Sequence, residues 1–146
     1  AQIEGMLQNG LIVVGSSSAC FKSVQQGEYV VGLTYEDGAS TLLKDGATNI
    51  KMVYPSEGSS AFAFAAAIVK NAPNMDNAKL FVDYVLSEEA QTALSKTTIR
   101  GTMTSIAQDC PEMKPFEEIN VVYEDQAAVA ELQTEMLEKW TNLLTK

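Results

Sequence analysis

Histidine is absent from the 146-residue chain, and cysteine, proline and tryptophan are scarce, at two, four and one. Without histidine the chain lacks the commonest metal ligand and the commonest general base, which disfavours zinc sites and Ser-His or Cys-His catalysis. Cys20 and Cys110 stand too far apart in sequence to form a metal motif. They read as two small buried apolar side chains, or as one disulfide if the protein meets an oxidising compartment. Long apolar runs are also missing. The longest candidate, residues 61–69, is strand-length and far below the ~18 residues that span a bilayer. Positive charge is the last shortage: 10 Lys and Arg face 19 Asp and Glu, giving a net charge of −9 and a pI near 4.4. Such a balance excludes the clustered basic surface that a nucleic-acid partner requires.

What remains is a composition of 46% hydrophobic and 20% charged residues, ordinary for a globular protein and long enough to bury a core. Apolar runs of about five residues alternate with short helical patterns, which predicts an α/β architecture with largely parallel pairing. Residues 11–14, 29–34 and 50–54 read as strands. Residues 62–69 fit strand or helix by pattern, and 119–123 read as a last strand. The first eight residues carry Ile3, Met6 and Leu7 at helical spacing, closed by Asn9-Gly10. Ser18 is expected to cap a helix ending at Gly27, and Asp37 a second ending at Gly46. Asn74 caps a helix whose apolar face is Ala78, Phe81, Val82, Val85 and Leu86. Ser87, followed by Glu88 and Glu89, restarts it as far as about Ser95. Residues 97–115 read as an irregular connection. Asp125 opens a terminal amphipathic helix whose stripe of Val129, Leu132, Met136, Trp140 and Leu143 is expected to pack inward.

Three of the strand ends hand over to polar loops. Ser16, Ser17 and Ser18 follow the first, where a strand gives way to a helix whose N-terminal amides attract an anion. The plainer reading makes Ser18 a cap and the other two turn residues. Tyr35, Glu36 and Asp37 end the second strand, at the edge where open α/β sheets bind ligands. Asp37 is most simply a cap and Glu36 a solvated carboxylate, while Tyr35 offers a hydroxyl and a ring face to a ligand. Glu57 and Gly58 follow the third. Glu57 can accept hydrogen bonds from hydroxyls or an amine, or simply face water, and Gly58 lets a backbone approach closely.

The ordered set Leu11-Ile12-Val13-Val14-Gly15-Ser16-Ser17-Ser18, Gly32-Leu33-Thr34-Tyr35-Glu36-Asp37, Ile50 to Ser60, Ala67-Ile68-Val69-Lys70 and Glu135 to Trp140 resembles the C-terminal half of bacterial extracellular solute-binding proteins of ABC importers. The similar group is the type 2 periplasmic-binding fold that takes ferric iron, phosphonates or sugar phosphates. The resemblance implies a partial two-lobe α/β fold with mixed, largely parallel sheets. Residues 1–48 then belong to the second lobe, 49–96 return to the first, and 97–146 pack back on the second. It further implies a small anionic ligand held by Ser16, Ser17, Ser18, Tyr35, Glu57 and Gly58, with no catalytic residue, cofactor or resident metal. The implied partners are a missing N-terminal half and an ABC permease, in a periplasmic or extracellular setting with a lipid anchor on the missing part. Two departures bear on the ligand. No Tyr-Tyr pair of the kind ferric binders use is present, and Ala63-Phe64-Ala65 stands where many relatives have Pro-Asp-Gly. Ferric iron is therefore the second expectation within the fold. A small α/β hydrolase or transferase using a loop serine is the alternative of another class, without a histidine or a Gly-x-Ser-x-Gly elbow to support it.

Overall fold

The computed structural model describes residues 2–145. In chain order its elements are α1 (Gln2–Gln8), α2 (Ser17–Gln25), α3 (Glu36–Lys44), β1 (Ser59–Ser60), α4 (Met75–Val85), α5 (Glu88–Ser95), a 3-10 turn (Phe116–Glu118), β2 (Val121–Val122) and α6 (Gln126–Leu144). The architecture is helix-rich α/β. Among the described residues β1 and β2 form one two-stranded sheet, parallel, with Ser59 opposite Val121 and Ser60 opposite Val122.

Local chemistry explains where the helices begin. The Ser16 hydroxyl accepts the Ala19 amide at 3.1 Å, so the α2 cap is Ser16 and not Ser18, which lies inside the first turn. Ser16 wins because its backbone is extended, the geometry that points a side-chain oxygen back at the turn. At α3 the expected cap is displaced as well. Tyr35 occupies the cap position without a side-chain bond, and Glu36 and Asp37 both fall in the first turn, where their charges face the positive helix end. Asn74 sits at the α4 cap position, also without a side-chain bond. Ser87 and Asp125 cap as expected: the Ser87 hydroxyl accepts the Ala90 amide at 3.2 Å, and the Asp125 carboxylate accepts the Ala127 and Ala128 amides at 3.0 and 3.2 Å. Residues 97–115 carry no helix or strand.

The strand expectations need correction. Residues 11–14, 29–34 and 50–54 form no ladder, 62–69, open between strand and helix, are neither, and of 119–123 only Val121–Val122 is strand. A strand exists only by pairing, and among the described residues these runs have no neighbour to pair with. Many of their side chains accordingly face outward, Val30 being 96% exposed and Phe64 91%, although Met52 and Tyr54 are partly covered. The α6 stripe is corrected too. Leu132 and Met136 are exposed, and Val129, Trp140 and Leu143 are only partly covered. On α4, Phe81 and Leu86 of the expected face are likewise exposed. The whole surface is 11246 Å², against about 7300 Å² for a compact monomer of this mass. Much apolar surface is therefore left uncovered.

The interior that does exist is small and partly polar, with Cys110, Met113, Ser40, Gln91 and Ser95 buried. It lies where α3 and α5 meet residues 108–113. Ser40 points its hydroxyl at the Met52 sulfur, 3.7 Å away, and the Asp109 amide donates to the Ser95 carbonyl at 2.8 Å. Gln91 closes the corner after α4. Its amide nitrogen donates to the Val85 carbonyl at 2.8 Å, and its oxygen accepts the Thr102 amide at 2.7 Å. Both cysteines are free thiols: Cys20 donates to the Leu33 carbonyl at 3.3 Å, and Cys110 to the Glu112 carboxylate at 3.2 Å. Burial and that carboxylate push the Cys110 thiol pKa up.

Gly58, ahead of β1, has φ +136 and lies so close to Val122 that a Cβ would meet its Cγ2 at 2.4 Å. Only glycine suits both the backbone and the contact. Gly58→Ala should therefore cost about 1–3 kcal/mol in urea denaturation. Gly46→Ala, with φ +94 but open space around it, should cost less. Gln91→Leu should cost about 1–3 kcal/mol by leaving the Val85 carbonyl and Thr102 amide unpaired, which the same denaturation series measures.

Candidate functional site

The serine loop and Tyr35 come together. The first intrahelical bond of α2 runs from the Cys20 amide to the Ser16 carbonyl at 3.3 Å, so the Ser17 and Ser18 amides lie ahead of the ladder and have no intrahelical acceptor. The Ser17 hydroxyl donates to the Tyr35 hydroxyl at 2.9 Å, and the Ser16 and Ser18 hydroxyls lie 3.1 Å apart. Ser16, Ser17 and Tyr35 are exposed, and Ser18 is half-buried. The Tyr35 ring stands edge-on to Phe21 of α2, with centroids 6.3 Å apart. Phe21 in turn occupies the space beside Gly38, where a Cβ would meet its ring at 2.2 Å. Thus α2 and α3 meet through Phe21, and that contact leaves Tyr35 at the mouth of the serine loop.

Glu57 and Gly58 are elsewhere. The Glu57 carboxylate is exposed and accepts from Ser56 at 3.2 Å, and Gly58 serves the β1–β2 contact. Among the described residues no hydrogen bond or ion pair joins Glu57 to Ser17 or Tyr35.

Beside Tyr35 lies a polar cluster that the sequence reading did not anticipate. Glu36, read as a solvated carboxylate, is instead half-buried and gripped from two sides. Arg100 donates from Nε to Glu36 Oε2 at 2.7 Å and from Nη2 to Oε1 at 2.5 Å, and the Tyr54 hydroxyl donates to Oε1. Arg100 also donates to the Lys114 carbonyl at 2.6 Å, and its guanidinium lies 5.4 Å from the Phe116 ring centroid. The Lys114 amide donates to the Tyr54 hydroxyl at 3.4 Å. The side chains of Arg100 and Glu36 are only 20% and 24% exposed, so the pair is better shielded from water than a surface ion pair. One sequence signal did exist: Arg100 is the sole arginine, and arginine alone offers a planar fork to a carboxylate.

The cluster shifts two ionisations. Burial and the Glu36 carboxylate push the Tyr54 phenol up to about 12. Burial disfavours the Arg100 charge, yet the Glu36 contacts outweigh it and hold the guanidinium above its ordinary value. On the far side of Tyr54 an open depression of about 440 Å³ is lined in part by Leu43, Ile50, Met52, Met113 and Pro115. It includes none of Ser16, Ser17, Ser18, Tyr35, Glu57 and Gly58. No group of three or more Cys, Asp or Glu suited to a metal ion occurs among the described residues. No helix among them is long and apolar enough to cross a membrane.

Exposed hydroxyls gathered at a helix N-terminus, with an aromatic hydroxyl hydrogen-bonded beside them, form a surface suited to holding a polar solute. Residues 2–100 match the family model of the bacterial extracellular solute-binding proteins, and the chain belongs to that family. Its members bind solutes and are in general not enzymes, and the family's extracellular character points to the periplasm or the cell exterior. The chain is 30% identical over 120 residues to an uncharacterized protein of Haemophilus influenzae, a match covering 79% of this chain and 34% of the relative. It thus spans about a third of the length of that curated relative. No solved structure matches the chain.

The Tyr54 shift has a definite consequence in alkali. Below pH 10 the phenol is neutral in both folded and unfolded chains, so its contribution to stability is constant. Between about 10 and about 12 the unfolded chain releases the proton while the folded chain keeps it, and stability falls across that window. Phenolate absorbance should show one tyrosine titrating late, and Tyr54→Phe should remove both that late step and its share of the alkaline loss in denaturation experiments.

Proposed function

We propose that this chain is part of the solute-binding component of an ABC importer and takes a small organic anion, a phosphonate or a sugar phosphate, for delivery to a membrane permease. The anionic head rests on Ser16, Ser17 and Ser18 at the α2 N-terminus, and Tyr35 holds the adjoining polar group. Glu57 and Gly58 reach the hydroxyl or amino end of the ligand when the two lobes close. The observation that carries this reading is the 2.9 Å bond from Ser17 to Tyr35, which joins residues 18 positions apart into one exposed polar face at a helix start. Helix-end amides attract an anion within hydrogen-bond range, whereas the net charge of −9 is screened beyond about 8 Å at physiological salt. Local geometry outweighs the distant charge.

The same proposal covers the architecture. Residues 1–48 belong to the second lobe of a type 2 periplasmic-binding fold, 49–96 return to the first, and 97–146 pack back on the second. The uncovered runs at 29–34 and 62–69 are then sheet surfaces that the N-terminal half of the protein pairs with and buries. Their exposure and the large total surface support this, because apolar patches of such extent are rare on a finished monomer. The lipid anchor belongs to that N-terminal half.

Calorimetry on the two-lobe parent protein with phosphonates, sugar phosphates and ferric salts tests the reading. Organophosphate binding is expected, and Ser17→Asp should abolish it by setting a carboxylate against the anionic head. Tyr35→Phe should weaken it by about 0.5–1.5 kcal/mol, the net worth of one hydrogen bond. Unchanged affinity in Ser17→Asp, or binding of ferric iron alone with loss in Tyr35→Phe, overturns the anion site.

A further inference from the structure

Tyr35 has few anchors of its own. Half of it is exposed, and its side chain meets only the Ser17 hydroxyl and the edge of Phe21 among the contacts described above. As the residue at the α3 cap position it makes no capping bond. The next residue is a firmly held carboxylate: Glu36 receives three hydrogen bonds, two from Arg100 and one from Tyr54, and each donor is itself tied to Lys114. Arg100 lies 64 residues from Glu36 along the chain, in the irregular connection.

We propose that Arg100 is a positioning residue for the solute site: by clamping Glu36 against Tyr54, it fixes the start of α3 and so sets the Tyr35 hydroxyl against Ser17 before any ligand arrives. The inference rests on the reading of Ser17 and Tyr35 as ligand contacts. The physical step is short. Adjacent residues share a planar peptide unit, so a carboxylate held by a bidentate fork limits the backbone freedom of the residue before it. A lysine at position 100 would keep the charge but offer no fork, and the clamp would loosen without a change of net charge. Presetting the tyrosine removes an ordering cost that binding would otherwise carry. Because Arg100 falls in the segment that crosses back between the proposed lobes, the clamp also ties that crossing to the site.

The test uses the parent two-lobe protein with ring-carbon-labelled tyrosine, the Tyr35 resonance being assigned by its loss in Tyr35→Phe. Arg100→Lys should shift or broaden that resonance in the ligand-free protein and weaken binding of a hexose 6-phosphate or methylphosphonate roughly three- to tenfold. Asp125→Ala, which removes the α6 cap and shares no hydrogen bond with the Glu36 cluster among the contacts described above, should alter neither readout, which separates positioning from a general loss of stability. Should Arg100→Lys fail to fold, Tyr54→Phe, which removes the third hydrogen bond to Glu36, should shift or broaden the same resonance, and an unchanged resonance in that variant overturns the proposal. A folded Arg100→Lys protein with an unchanged Tyr35 resonance overturns the proposal. The underlying site fails independently if Ser17→Asp and Tyr35→Phe leave affinity intact, or if neither probe binds the unaltered protein, and in those cases the resonance alone judges the clamp.

Discussion

The half-buried ion pair between Glu36 and Arg100 is the contact on which the arrangement of the chain most depends. It joins the start of α3 to the connection after α5, and through Tyr54, Lys114 and Phe116 it gathers four stretches of sequence around one carboxylate. Desolvating a carboxylate and a guanidinium is costly, and the cost is offset only because their polar atoms find several well-placed partners. Removing a single partner would strand a charge in a place that water only partly reaches. Elsewhere α2 and α3, or α4 and α5, meet mainly as neighbours in the chain. The ion pair, like the β1–β2 ladder, closes a long loop with directional bonds, and it adds opposite charges to them.

Around that knot the molecule is strongly incomplete as a hydrophobic object. Among the described residues two apolar side chains and three polar ones are buried, while Val30, Val31, Leu33, Val53, Phe62, Phe64 and Val69 face outward. Composition does not explain this, since 46% hydrophobic content suffices for a domain of this size. The apolar residues are concentrated in runs suited to ladders, and ladders need neighbours. Among the described residues these runs have none.

The site follows the same logic of partial assembly. Ser16 spends its hydroxyl on the helix, whereas Ser17 turns its own toward Tyr35, so neighbouring serines divide the work of capping and of presenting a polar face. Phe21 and Gly38 settle the distance between α2 and α3 and thereby the place of Tyr35. Gly58 serves close packing on Val122, and Glu57 stays in water beside it. The Ser17 and Tyr35 hydroxyls thus meet, and Glu57 lies apart from them.

Local signals in the sequence determined the helices and their ends, because caps, glycines and prolines act within a few residues. Ser87 and Asp125 cap as their chemistry dictates, and the glycines after α2 and α3 take up positive φ where those helices stop. Errors at this level were small, such as Ser16 in place of Ser18, and arose from backbone geometry that residue type alone does not fix. The strand pattern was legible as apolar runs, but whether a run becomes a strand depends on partners that no single segment carries. The grouping of Ser17 with Tyr35 could be anticipated only as two polar strand ends, and tertiary packing through Phe21 made them touch. The role of Glu36 was hidden altogether. A carboxylate at a helix start looks solvated until an arginine 64 residues away arrives, and only the tertiary fold brings that fork to it.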